Sequence, residues 1–324
     1  MNKIRVAVIG VGYQGKFYLQ KLAAHPGIRL VGISDINAFQ GRKLSQQYNV
    51  SYFEDYRDLL DKIDAVFVAV PVTAHYGIVR EFLQAGVDVY VEKSLTQEPE
   101  QAEDLIQIAI GNHLILQVGH SERFNMAAEL MREKMQIPSY MEACRLTKFS
   151  GRGCDVDVIT DLMVHDIDII LNMMEDDQPE IHALGTSVLT PLIDVADVHM
   201  VFANGCEVHL KASRVSSKVE RSLKVFEPNR YLVADFLEQD LTLYQRDDPS
   251  IRVERIIREK RDVLDHEVRS FIDSVERRTA PLVDGAQGLA ALRVVCDIRK
   301  SIKEPASKNL YLYDDSIHRF EKTI

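Results

Sequence analysis

Residues 3–35 read KIRVAVIGVGYQGKFYLQKLAAHPGIRLVGISD. The opening run, Lys3 to Gly10, is β-branched and apolar, too short for a membrane span and suited to a strand buried on both faces. It passes directly into Gly10-Val11-Gly12-Tyr13-Gln14-Gly15. Phe17, Leu19, Leu22 and Ala23 then mark a helix, Pro26-Gly27 breaks it, and a second apolar run ends at Asp35. The order is strand, glycine turn, helix, strand, acid. Gly10 permits the tight turn, Gly12 lets a pyrophosphate approach the backbone, and Gly15 lets the helix pack close to the sheet. The helix N-terminus offers unpaired N–H groups to the phosphates. This context predicts a dinucleotide site formed by Gly10, Gly12, Tyr13, Gln14 and Gly15. The bland alternative is a packing turn in some other α/β protein.

Asp35 lies 20 residues beyond Gly15, where a carboxylate can accept from both ribose hydroxyls of NAD. A 2′-phosphate beside it would meet a like charge, and no Arg or Lys follows until Arg42. NAD is therefore the expected cofactor rather than NADP.

The chain has 324 residues, a length that suggests two domains. Its 39 Lys and Arg face 49 Asp and Glu, a formal charge of −10, which argues against nucleic-acid or anionic-membrane partners. An anionic substrate would need a local basic pocket. Cys144, Cys154, Cys206 and Cys296 show no CxxC or CxxH spacing, so free thiols and no metal are expected. The first apolar run lacks a small-residue cleavage site, and no run approaches the length of a membrane helix. The expected location is cytoplasmic.

After Asp35, helices at 37–49, 73–86 and 97–110 alternate with short strands at 50–53, 63–71, 88–94 and 114–120. That alternation predicts an α/β Rossmann domain with a doubly wound parallel sheet. Ligand should lie across the carboxyl ends of the strands, so Pro71, Glu92, Lys93 and His120 should face the crevice. An amphipathic helix at 123–136 follows. From 141 the pattern becomes a run of alternating strands, with hairpin signals at Asn204-Gly205 and Pro228-Asn229. One helix interrupts them at about 158–174, and two more close the chain at 265–278 and 286–303. This predicts an α+β C-terminal domain with an open, mainly antiparallel sheet. The boundary falls near 121: residues 1–121 are expected to bind NAD, and residues 122–324 form the second, α+β domain. The C-terminal helices are free to return toward the first domain.

Two constellations carry chemistry. Lys93, in Glu92-Lys93-Ser94, closes a strand that feeds the crevice. Its ammonium can hydrogen-bond a reacting oxygen, or it is a solvated lysine ending an ordinary strand. Asp161 and His165 are four residues apart, so on a helix they share a face. A His beside a carboxylate can accept a proton near neutrality; the alternatives are a surface ion pair or half of a metal site. Arg123, Lys148 and Arg152 are basic candidates for gripping phosphate or carboxylate, against a default of solvated charge.

Taken together these residues resemble the glucose–fructose oxidoreductase/inositol dehydrogenase (Gfo/Idh/MocA) family over essentially the whole chain. The family's Glu-Lys-Pro motif matches Glu92-Lys93-Ser94, with Ser94 departing from the proline. Its Asp-x-x-x-His helix matches Asp161 and His165. The segment from Pro71 to His75, before a helix ending in Ala85-Gly86, also fits, as does the run from Glu267 to Ile302. The resemblance implies that Pro71, His75, Glu92 and Lys93 join the cofactor side and that Lys93, Asp161 and His165 surround the reacting carbon. It also implies a cyclic polyol or sugar substrate and a homodimer or homotetramer packed through the open sheet.

Within it, Val118-Gly119-His120-Ser121-Glu122-Arg123-Phe124-Asn125 is similar to a stretch of members acting on UDP-activated amino sugars. That similarity implies substrate contacts from His120, Arg123, Asn125 and Arg152. The expected activity is NAD-dependent oxidation of a ring hydroxyl to a ketone on a UDP-activated amino sugar. The rivals are a dehydrogenase of free inositol or a monosaccharide, and an NAD-binding sensor without catalysis.

Overall fold

The computed structural model describes residues 3–151, 153–174 and 178–302. β1 (Ile4–Ile9), α1 (Tyr13–Ala24) and β2 (Ile28–Ser34) form the opening unit. α2 (Ala38–Tyr48), β3 (Ser51–Phe53), β4 (Ala65–Val68), α3 (Val72–Gln84), β5 (Asp88–Glu92), α4 (Pro99–Gly111) and β6 (Leu116–Gly119) follow. The six strands form a parallel sheet in the order β3-β2-β1-β4-β5-β6. The strand order reverses between β1 and β4, which opens a crevice at the carboxyl edge. Register aligns that edge: Ile9 pairs with both Ser34 and Val68, and Glu92 pairs with Gly119.

The second sheet has eight strands in the order β14-β13-β12-β11-β7-β10-β9-β8. They are β7 (Tyr140–Leu146), β8 (Glu180–Thr186), β9 (Val195–Val201), β10 (Glu207–Ser213), β11 (Glu220–Glu227), β12 (Arg230–Asp235), β13 (Asp240–Asp247) and β14 (Ser250–Ile257). Among their pairings only β7 with β10 is parallel. Both hairpin signals form turns, with Gly205 at φ 84° and Asn229 at φ 65°. Met141, Val208, Leu210 and Val225 point inward against α5 (Met126–Lys134) and α6 (Val164–Met174). The other face carries a row of ring contacts running through Tyr244, Tyr231, Phe226, Tyr140, His209, His199 and His182. Each strand from β13 to β8 supplies one ring, and His182 and His209 are exposed.

The closing helices turn back. α7 (Val263–Arg277) places Val268, Phe271, Ile272 and Val275 in one core with Tyr18 of α1 and with Phe67 and Tyr90 of the first sheet. Phe271 meets Phe67 edge-on at 5.1 Å. α8 (Gly285–Ser301) starts in a capping box between Asp284 and Gln287. It serves both cores, with Leu289 and Leu292 toward the first sheet and Val294, Val295 and Ile298 toward the second.

The predicted helix at about 158–174 forms in two parts. A π-helical segment, Ile159–Met163, precedes α6. Asp161 therefore sits in the π-helical part and His165 in the first turn of α6. The predicted helix at 123–136 is likewise split, into a 3₁₀ turn, Ser121–Phe124, and α5.

Candidate active site

At the cofactor edge, β1 turns into α1 through the glycines. A Cβ on Gly15 would lie 1.8 Å from the Gly10 carbonyl oxygen, so only glycine allows this approach. A Cβ on Gly12 would meet nothing within 4 Å, which leaves open space where a phosphate group needs it. Gly12 caps α1 with no side-chain hydrogen bond, so the first-turn N–H groups remain available. The exposed Tyr13 packs edge-on against Phe17, and Gln14 lies beside the Glu92 carboxyl. Asp35 accepts from Val11 N at 2.7 Å and from Asn37 N at 2.7 Å, so its carboxylate also tethers the glycine turn. These residues fit a dinucleotide: open backbone, free helix N–H groups and an acid at the ribose position.

The far rim is built on Lys93. The Lys93–Ser94 peptide is cis. Lys93 Nζ donates across the crevice to the Asp161 carbonyl oxygen at 2.7 Å and to Asp161 Oδ1 at 3.2 Å. The lysine is mostly covered, its side chain 18% exposed. Pro71 caps α3. His75 is fully buried, and its ring spans the Ser94 carbonyl (2.8 Å) and the Val70 carbonyl (2.9 Å). It therefore braces the two loops that form the rim instead of opening onto the crevice.

His165 is half-buried, and its Nδ1 is sealed without a hydrogen-bond partner. Burial, then the positive charges of Lys93 and Arg145, push its pKa well below the ordinary 6.5. The ring is neutral at neutral pH and competent to take a proton. His120 is buried with Nδ1 unpartnered, and burial lowers its pKa too. The Asp161 carboxylate turns to Lys93; its other oxygen lies 2.6 Å from where a Cβ on Gly153 would stand. Arg214 fixes that loop through the Gly153 and Val156 carbonyls, at 2.7 and 2.6 Å.

Two of the expected substrate contacts are placed elsewhere. Arg123, its side chain 7% exposed, pairs with Asp168 at 3.3 Å and reaches the Leu282 carbonyl at 3.4 Å. Its guanidinium is held by α6 and by the segment before α8. Asn125 caps α5: its Oδ1 accepts from Ala127 N, and its Nδ2 donates to Glu122 and to the Phe236 carbonyl. An amide so committed has no donor left for a sugar. Arg152 lies outside the described residues, and Lys148 is exposed.

Beneath His165 lies a buried ion network that the sequence reading did not single out. Arg145 grips Asp166 with two hydrogen bonds (2.9 and 2.7 Å) and Glu122 with a third (2.9 Å). Arg221 and Asn125 complete Glu122, at 3.2 and 3.1 Å. The network ties β7, α6 and the turn after β6 together, one residue from His165. Strand parity could have found it, because Arg145 shares an inward face with Met141 and Ala143.

Among the described residues, no three His, Cys, Asp or Glu side chains converge on a metal-sized site. No helix among them is long and apolar enough to cross a membrane.

A model of the "Oxidoreductase family, NAD-binding Rossmann fold" matches residues 4–120. UDP-N-acetylglucosamine 3-dehydrogenase of Acidithiobacillus ferrooxidans is 33% identical over 94% of this chain and 98% of its own length. The solved structure of that enzyme superposes with a TM-score of 0.88 over 93% of this chain and 98% of its own. Myo-inositol 2-dehydrogenase of Thermotoga maritima is 24% identical over 95% of this chain and 98% of its own. The fold, the crevice and these likenesses agree: the chain belongs to the Gfo/Idh/MocA family, oxidoreductases of CH–OH groups built on an NAD-binding Rossmann fold.

Proposed function

We propose that this protein oxidises a ring hydroxyl of a UDP-activated amino sugar to a ketone, with NAD as the cofactor. The observation that carries the chemistry is the Lys93–Asp161 bridge across the crevice beside a neutral imidazole. Lys93 hydrogen-bonds the reacting oxygen and steadies the negative charge that develops on it. Asp161 aims the ammonium. His165 takes the hydroxyl proton. Bound NAD supplies the hydride acceptor. His75 and Arg214 hold the two loops from which Lys93 and Asp161 project.

The substrate class is supported by the 33% identity to a UDP-N-acetylglucosamine 3-dehydrogenase over nearly the full length of both chains. Free inositol is the second reading. It is favoured by the burial of Arg123 and Asn125, which removes two groups expected to grip a nucleotide sugar. The row of half-buried and exposed rings on the outer face of the second sheet supports a homo-oligomer packed through that face.

Absorbance of NADH should rise when purified protein and NAD receive UDP-N-acetylglucosamine, with hydroxylamine in parallel to trap the ketone. Turnover with inositol or glucose and none with the UDP-sugar would replace the first reading by the second. For the cofactor, Asp35→Ala should reduce the preference for NAD over NADP by about tenfold, the value of lost charge-assisted hydrogen bonds. Titration of both nucleotides gives the ratio. An unchanged ratio would remove Asp35 from cofactor choice, even if loosening of the Val11 tether weakened both.

A further inference from the structure

Glu267, on α7, is fully buried, and neither carboxyl oxygen has a hydrogen-bond partner. The Tyr90 hydroxyl lies against it. Tyr90 Oη stands 2.7 Å from Tyr18 Oη, and the Tyr18 hydroxyl donates to Glu92 Oε1. Glu92 Oε2 accepts from Lys93 N at 3.2 Å, and Gln14 of the glycine turn also reaches this carboxyl. The result is a buried line from α7 through β5 and α1 to the crevice, ending on the residue before Lys93.

Donors and acceptors along the line can be assigned in only two self-consistent ways. In one, Glu267 is the neutral acid: it donates to Tyr90, Tyr90 to Tyr18, and Tyr18 to a Glu92 carboxylate. In the other, three protons have each moved one step toward the crevice. Glu92 is then the neutral acid, Glu267 the carboxylate, and the net charge is the same. Two ionised carboxyls would leave Tyr90 facing competing demands with one proton to give. Burial raises the pKa of both acids and of both tyrosines, which favours one proton shared between the carboxyls over two ionised carboxylates.

We propose that Glu267 is a positioning residue for the cofactor: with Tyr90, Tyr18 and Glu92 it shares one proton between two carboxyls, so that negative charge stands at the crevice opposite a cationic nicotinamide and withdraws to the interior when the ring is reduced and neutral. This rests on the nicotinamide cofactor reading. The charged and titratable groups facing the line are Lys93 beside Glu92 and Glu122 on the Glu267 side.

The test is the ratio of dissociation constants for NAD⁺ and NADH, measured between pH 6 and 8 by calorimetry or NADH fluorescence. Contacts common to the two nucleotides cancel in that ratio. In the wild-type protein it should stay nearly constant with pH, because the charge moves internally. Glu267→Gln keeps a donor to Tyr90 but cannot hold the charge. Glu92 then stays ionised under a neutral ring, and NADH should weaken about three- to tenfold relative to NAD⁺ at pH 7.5. The deficit should shrink toward pH 6 as Glu92 takes a proton from solvent. Tyr90→Phe cuts the line midway, removes no carboxyl, and should behave the same way. It decides the matter should Glu267→Gln not fold. Ratios within twofold of wild type at every pH would overturn the proposal while leaving the cofactor reading intact. Failure of the wild-type protein to bind either nucleotide would overturn both.

Discussion

Lys93→Ala should lower kcat by about 10²–10⁴, equivalent to roughly 3–5 kcal/mol of barrier, with NAD bound as in the parent. The lysine is the side chain that joins the two halves of the crevice, and its ammonium is aimed by the Asp161 carbonyl and carboxylate. Alanine removes the donor without touching Gly12, Gly15 or Asp35. Steady-state kinetics with nucleotide titration separates the two effects, and turnover within a few-fold of the parent would take Lys93 out of the mechanism. The pH profile supplies a second readout. After burial, Lys93 is the largest influence holding His165 neutral. Its charge disfavours imidazolium, so the acid limb of wild-type kcat should lie below the ordinary histidine value. Alanine should move that limb upward. Residual activity with an unmoved limb would assign the base elsewhere.

Arg145→Met should destabilise the fold by about 3–5 kcal/mol, because it leaves Asp166 buried without its cation and Glu122 with Arg221 alone. Asp166 already has its pKa raised by burial, against the opposing pull of Arg145. Without the arginine that rise must grow. A carboxyl whose folded pKa lies above its unfolded one binds the proton more tightly when folded, so stability increases as pH falls through the folded value. The deficit should therefore be largest at neutral pH and narrow toward pH 4.5. Urea unfolding at several pH values measures it. A midpoint equal to wild type at pH 7.5 would show that water or a neighbour such as Arg221 replaces the lost charge.

The first sheet was legible because glycine spacing, β-branched runs and the acid at Asp35 are local signals, each within a few residues of its cause. Lys93 was legible as the end of a strand, and Asp161 and His165 as neighbours in sequence. The π turn at Ile159–Met163 that carries Asp161 was not, because it leaves no mark in a periodicity argument. Arg123 and Asn125 illustrate the opposite error. Polar residues beside a crevice in sequence were read as ligands, whereas Asp168, Leu282, Glu122 and Phe236, distant in the chain, satisfy them in space. Glu267 lies 175 residues after Glu92 and meets it only through Tyr90 of β5 and Tyr18 of α1. Long-range polar partners of this kind need the fold before they can be named.

The return of α7 and α8 has a consequence for how this chain is made. Phe271 and its neighbours on α7 fill the space under Phe67 and Tyr90, and Leu289 and Leu292 close the other side of the same sheet. Each such side chain contributes about 1.5–3 kcal/mol on full burial, so the unit lacks several of them while the ribosome is still translating the second sheet. The nucleotide-binding half cannot reach its final stability as a nascent fragment. It waits, with apolar surface uncovered, for segments synthesised some 150 residues later. A fragment ending near residue 121 should accordingly depend on chaperones or aggregate, and the mature chain should melt as one cooperative body.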